Sequence, residues 1–270
     1  MIDLSSCTFM IPVRIESTDR YYNLKAILGY LNHHFVTNVK LYEVFSEKTA
    51  IDFLDQFNNL SLEHTCEHLA DSEPFHRTKY LNFMLSTTTT EIVSNYDADV
   101  LLPVEVYKDS VDSLLQKKSD FIYPYILGEG QKKLHYSKWY EDKNRDLLYW
   151  SMLEFLETYN LKYLDEEDTF ISHSLSSYGH CFFARTESYK SAFGENENFI
   201  SYGPEDVERA HRFKKLGYTV LWWDSFVYHL EHERTADSSN RNLYWDSNNT
   251  LFDYLSSLNK EQLLEYYCQK

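Results

Sequence analysis

YDADVLLP (Tyr96–Pro103) sets two carboxylates, Asp97 and Asp99, on either side of Ala98 at the end of an apolar run. One reading is a strand that ends at the surface, with an aspartate opening a turn before Pro103. The other is a metal site, because hard divalent cations take oxygen ligands and sit between carboxylates and phosphates. The segments on either side of the pair carry the choice.

Upstream, CTFMIPV (Cys7–Val13) is an apolar run of strand formers and reads as a buried first strand. RYYNLKAILGYLNHH (Arg20–His34) follows, with Tyr22, Ile27, Leu28 and Leu31 at helical spacing. VKLYEVF (Val39–Phe45) alternates as a strand does, and TAIDFLDQF (Thr49–Phe57) returns to helix. FHRTKYLNFMLS (Phe75–Ser86) sets Phe75, Tyr80, Leu81 and Met84 on one helical side, and EIVSNYDADVLLP (Glu91–Pro103) is a strand running into the acidic pair. Such alternation predicts an α/β sheet built from crossover units. Ligands of these sheets lie beyond the carboxyl ends of strands, where Asp97 and Asp99 fall.

Downstream, Val106–Ser119 predicts a helix, Asp120–Ile126 a strand, and Asn144–Tyr159 an amphipathic helix. HCFFART (His180–Thr186) is strand-like, and Gly217–Leu230 divides into two short strands. The stretch from Asn240 to Lys270 reads as helical and Tyr-rich, a packing arm or an interaction surface. Without an internal repeat or a linker, the organisation is one domain over 1–239 with a helical C-terminal extension over 240–270.

The bulk composition narrows the function. The 270 residues are 43% hydrophobic, with 17 Phe and 23 Tyr, which is ample for a packed core. Only 7 Gly and 5 Pro argue against low-complexity linkers. A net charge of −16 excludes a general nucleic-acid binder, which must displace counterions with positive charge. For a phosphate-bearing substrate, that charge demands local arginine or lysine, a helix N-terminus or a metal ion. Cys7, Cys66, Cys181 and Cys268 are scattered without a C-x-x-C pair and read as reduced thiols. MIDLSSCTFMIPV lacks the basic start and long apolar core of a signal peptide, and no stretch approaches roughly 18 uninterrupted apolar residues. The expectation is a soluble, cytoplasmic protein without a transmembrane segment.

A second acidic pair lies in SYGPEDVERAHRFKKLGY (Ser201–Tyr218). Pro204 suits a first helical position, Val207, Ala210 and Phe213 mark an apolar side, and Gly217 suits the stop. Glu205 and Asp206 are therefore either first-turn acids complementing the helix dipole, or two carboxylates at a cleft rim, one orienting a hydroxyl and one taking its proton. In VYHLEHER (Val227–Arg234), His229 and His232 are structural histidines or nitrogen ligands completing a site suited to Mn2+. A thermolysin-type H-E-x-x-H zinc pattern is not present. LDEEDTF (Leu164–Phe170) lacks the spacing of a calcium loop and reads as a solvated turn.

Taken in order, FMIPVRIESTDRYYNL, PFHRTKYLNFML, DADVLLP, YGPEDVERAHRFKKLGY and HER resemble the successive motifs of beta-1,4-galactosyltransferases and related nucleotide-sugar glycosyltransferases of the A-type fold. The resemblance runs from about residue 8 to 235 and implies a Rossmann-like mixed central sheet flanked by helices. It implies that Pro12 and Arg14 contact the nucleotide, and that Phe75 and Arg77 lie near the uracil or the phosphates. Asp97 and Asp99 match the D-x-D that holds Mn2+ or Mg2+, Asp99 most directly. His232, followed by Arg234, matches the metal-binding H-x-R better than His229 does. Glu205 and Asp206 match the E-D pair, Asp206 as base, while Tyr202 and Gly203 lie on the sugar side. FGENENFISYGPED (Phe193–Asp206) resembles the approach to that turn.

There are departures. The family's second arginine near the first strand is Glu16, and its W-G-G is Tyr202-Gly203-Pro204. The acceptor therefore does not carry over. The implied activity is metal-dependent, inverting transfer of a hexose or N-acetylhexosamine, galactose type favoured, from a UDP-sugar to a saccharide or glycolipid acceptor. By analogy alone, the setting is a bacterial surface polysaccharide, with peripheral membrane association left open. A nucleotidyltransferase is the nearest rival, although PVRIESTDRYY has no glycine. A non-catalytic sugar-nucleotide-binding protein is the other.

Overall fold

Every residue from Cys7 to Val13 is buried inside strand β1 (Ile2–Arg14), as expected of a central strand covered on both faces. The computed structural model describes residues 1–45, 51–70, 73–127, 131–134, 154–164, 170–172, 178–230, 232 and 234–269. The further strands are β2 (Phe35–Phe45), β3 (Leu60–His68), β4 (Ile92–Tyr96), β5 (Val100–Leu101), β6 (Phe121–Tyr123), β7 (Gln131–Leu134), β8 (Phe170–Ser172), β9 (Cys181–Arg185), β10 (Val220–Trp222) and β11 (Val227–Leu230). The helices are α1 (Thr18–His34), α2 (Arg77–Ser86), α3 (Val104–Leu115), α4 (Thr186–Ser191), α5 (Glu205–Leu216), α6 (Trp245–Ser257) and α7 (Lys260–Cys268).

A 7-stranded sheet runs in the order β10-β6-β9-β4-β1-β2-β3. It is parallel except at β9, which is antiparallel to both β4 and β6. A smaller 4-stranded sheet, β5-β11-β7-β8, continues from the acidic pair. The mixed α/β architecture with helices around a central sheet follows from the sequence pattern. The Ser17 side chain caps α1, and the helix buries Leu24, Ile27, Leu28 and Leu31. Phe9 meets Tyr96, Tyr107 and Phe183, joining β1 to β4, α3 and β9 through an aromatic core.

Two expectations need correction, and one strand has no counterpart among them. Among the described residues, TAIDFLDQF forms only a 3-10 turn, Leu54–Gln56. Ile51 and Phe53 are buried around an outward Asp52, whose carboxylate accepts from Tyr21 Oη at 2.6 Å. That alternation is not helical. The edge strand β3 went unread because its sequence, LSLEHTCEH, is mostly polar. Pro204 sits at the cap of α5, just ahead of the first helical position, whereas Gly217 ends the helix in the left-handed region at φ 97°. Most of Asn144–Tyr159, and the acidic run inside LDEEDTF, lie outside the described residues.

Helices α6 and α7 pack against α5. Leu255, Leu258, Leu263 and Tyr267 form a second apolar cluster with Phe199, in the approach to the Glu205–Asp206 turn. Lys215 Nζ donates to the carbonyls of Ser256 and Leu258 at 2.6 and 2.7 Å. No helix among the described residues is long and apolar enough to cross a membrane.

Candidate active site

Strand β4 ends at Tyr96, and the chain turns through Asp97-Ala98-Asp99 into β5. The turn is held at both ends. Asp97 N–H donates to the carbonyl of His180 at 2.9 Å, and Leu230 N–H donates to the carbonyl of Asp99 at 2.7 Å. Pairing of β5 with β11 sets His229 beside Val100, which carries the histidine to the second aspartate. His232 Nε2 lies 3.0 Å from Asp99 Oδ2, and His229 Nε2 lies 3.8 Å from Oδ1.

The two aspartates have different partners. Arg77, at the start of α2, donates to Asp97 Oδ1 at 2.6 Å and to Asn95 Oδ1 at 2.7 Å. Asp99 instead belongs to a cluster with His229 and His232 whose ligand atoms all lie within 4.8 Å of one another. Its Oδ1 is buried without a hydrogen-bond partner. Burial opposes ionisation of Asp99, but the His229 and His232 charges outweigh it and hold the carboxyl below its usual range. One carboxylate and two imidazoles form a donor set that fits Mn2+ or a similar divalent cation. Asp97 stands outside this set and His229 inside it, a difference from the ligands Asp97, Asp99 and His232 drawn from the sequence resemblance.

Opposite this corner, α5 presents Glu205 and Asp206 in its first turn. Asp206 Oδ1 accepts from the N–H of Val207 at 2.7 Å. A Cβ on Gly179 would stand 3.0 Å from Asp206 Oδ2, so a side chain there would press on this carboxylate. Glu205 Oε2 is buried without a hydrogen-bond partner. Burial, and then the neighbouring Asp206 charge, push the Glu205 carboxyl up to about 8. Burial also raises Asp206, against the pull of Arg209 and Arg77.

One cavity of about 410 Å3 joins these parts. Pro12, Arg14, Phe75, Arg77, Asp97, Asp99, Tyr202, Glu205, Asp206 and His232 all line it. Gly203 does not. A Cβ there would stand 2.6 Å from Asn248 Nδ2, so this glycine lets the turn approach α6. Arg14, Arg20, Arg77 and Arg234 line the cavity beside the carboxylates of Glu16, Asp97, Asp99, Glu205, Asp206 and Asp237, so any positive charge there is local to single arginines.

Other contributors were not evident from sequence. Glu16, the departure near β1, lies 3.5 Å from Arg14 Nε and 4.0 Å from Arg20 Nε. Asp237 accepts from the N–H of Phe75 at 2.7 Å and from the Ser201 hydroxyl, tying the loop before α2 to the α5 approach. Ser201 has φ 61° and so needs such anchoring. Behind the wall, Asn95 donates to Glu195 at 3.3 Å, and Arg209 donates to the same carboxylate at 2.9 and 3.1 Å. A buried chain thus links Arg77 to α5. Glu195 lies in FGENENF, where an acid among aromatic residues was a visible signal; Asp237 had none.

As a sequence, the chain matches no protein-family model and no curated protein. Its structure superposes on GalNAc-T7, solved with UDP, GalNAc and Mn2+, at a TM-score of 0.60 and 12% identity, covering 97% of this chain and 50% of that one. It superposes on residues 1–349 of S. aureus TarS at 0.52 and 14% identity, covering 95% of this chain and 68% of the other. The UDP complex of the same TarS portion gives 0.51 and 16% identity, covering 97% and 70%. The chain has the A-type glycosyltransferase fold.

Proposed function

We propose that this chain is a metal-dependent, inverting glycosyltransferase that moves a hexose or N-acetylhexosamine, galactose type favoured, from a UDP-sugar to a saccharide hydroxyl. The observation that carries this reading is the single cavity shared by the Asp97–Asp99 corner and the Glu205–Asp206 turn. The complexes of GalNAc-T7 with UDP and Mn2+ and of TarS with UDP-GlcNAc support the donor class.

Asp99, His229 and His232 would hold the cation, Mn2+ or Mg2+, with Asp97 acting through Arg77 rather than as a ligand. A cation bound there would neutralise charge building on the departing diphosphate. Arg77 and Arg14 would meet the phosphates, Pro12 and Phe75 the nucleotide base. Tyr202, exposed and stacked on Trp245, would offer its ring to a sugar face. The raised Glu205 carboxyl keeps its proton near neutral pH and would donate a hydrogen bond to a sugar, while Asp206 would take the acceptor's proton. One displacement with one base inverts the anomeric centre. The acceptor is a saccharide or glycolipid, and the free thiols suit a cytoplasmic setting.

The test is UDP release from a panel of UDP-sugars with saccharide acceptors, with and without Mn2+. The expected outcome is metal-dependent release with one preferred sugar. Donor binding without release under any acceptor would make the chain a non-catalytic binder, and conversion of the UDP-sugar to UTP and sugar 1-phosphate on adding pyrophosphate would make it a nucleotidyltransferase.

A further inference from the structure

A second group of metal-binding side chains lies on the sheet edge, outside the cavity. The β2–β3 register sets Cys66 beside Glu43 and His64 beside Leu41. Residues two apart on a strand share a face, so His64 and Cys66 both flank Glu43. His64 Nε2 lies 3.0 Å from Glu43 Oε2 and 3.3 Å from Cys66 Sγ, and Sγ lies 3.9 Å from Oε2. Ligands held at about 2.0–2.3 Å around a tetrahedral zinc ion stand roughly 3.3–3.6 Å from one another. The three atoms already have nearly that spacing.

The trio does not read as an activated nucleophile. Cys66 and Glu43 both approach His64 most closely through Nε2, so the ring cannot pass a proton from one to the other through its two nitrogens. Glu43 is fully buried, and a carboxylate at that depth is paired or ligates. Cys66 is exposed, which gives an ion a route in. The sulfur, nitrogen and oxygen donors also differ from the oxygen and nitrogen set at Asp99, and thiolate selects softer ions.

We propose that Glu43, His64 and Cys66 bind a zinc-class divalent cation that ties edge strand β3 to β2. The experiment is a Co2+ titration of the full chain under reducing conditions, followed by absorption. The expected result is a near-ultraviolet thiolate-to-cobalt band that saturates at about one equivalent and disappears on adding Zn2+. The band should be lost in Cys66→Ser and His64→Ala, and kept in Asp99→Ala and Cys268→Ser. In Asp99→Ala, where the cavity cluster is removed, zinc should raise the Tm, and adding Cys66→Ser to that chain should abolish the rise. No band, a band that survives Cys66→Ser, or one lost in Cys268→Ser overturns the proposal, as does an equal zinc response once Cys66→Ser is added to Asp99→Ala.

Discussion

At the scale of the residue, Glu205 and Asp206 are adjacent in sequence yet set apart in chemistry by their surroundings. Asp206→Asn should lower transfer by about 10²–10⁴-fold while UDP binding persists, measured as turnover beside a binding titration. Normal turnover would remove Asp206 from the base role. Glu205 titrates higher in the folded chain than its ordinary 4.5, up to about 8, so between those values the native state keeps a proton that the unfolded chain has released. Its contribution to stability therefore falls as pH rises through that window. Metal-free thermal unfolding at pH 6 and pH 8 should show a drop that becomes smaller in Glu205→Gln. His229→Ala and His232→Ala should each raise the metal concentration needed for half-maximal UDP binding; no change in His229→Ala would restrict the ligand role to His232. The acidic pairs were legible because each sits at a boundary between elements. Both His229 and His232 were candidates in the sequence, with His232 ranked first; that His229 also reaches Asp99 depends on the pairing of β5 with β11, and no short-range pattern encodes that register.

At the scale of the element, α5 shows how the same spacing can carry different weight. Arg212 and Glu208 form a buried i,i+4 pair at 3.0 Å, and Glu208 also accepts from Tyr267 Oη at 2.9 Å. Lys108 and Asp112 form an exposed i,i+4 pair at 2.5 Å on α3. Removing one partner of a buried pair strands the other charge, so Arg212→Ala should cost about 3–5 kcal/mol in chemical denaturation. Lys108→Ala should leave the denaturation midpoint where it was. Sequence periodicity located α5 and its glycine stop, because apolar spacing and a left-handed stop are local properties. It gave no sign that Glu208, Arg209 and Arg212 are buried, since their burial depends on Glu195, Tyr267 and the carbonyls of Ala192 and Gly194. The polar edge strand β3 was missed for the converse reason. Its pairing comes from a neighbour, with little apolar pattern of its own.

At the scale of the whole molecule, two sheets and the first turn of α5 meet at one cavity, and the helical tail backs that turn from outside. The order of motifs foretold the A-type fold. The part played by α6 was not readable, because an asparagine at a helix surface has no signature of its own. Asn248 donates to the carbonyl of Ile200 at 2.8 Å and leaves no room for a side chain on Gly203. Gly203→Ala should destabilise the chain by about 1–3 kcal/mol through overpacking. It should also depress transfer to acceptor more than UDP binding, read from kinetics beside a binding titration. Equal losses in the two would place the damage in global folding. Because Asn248 and Trp245 support the Tyr202–Asp206 bend from outside, the acceptor side of the proposed transfer would be adjustable at a distance. Substitutions on the outer helices would then retune that side while every cavity-lining side chain stays unchanged.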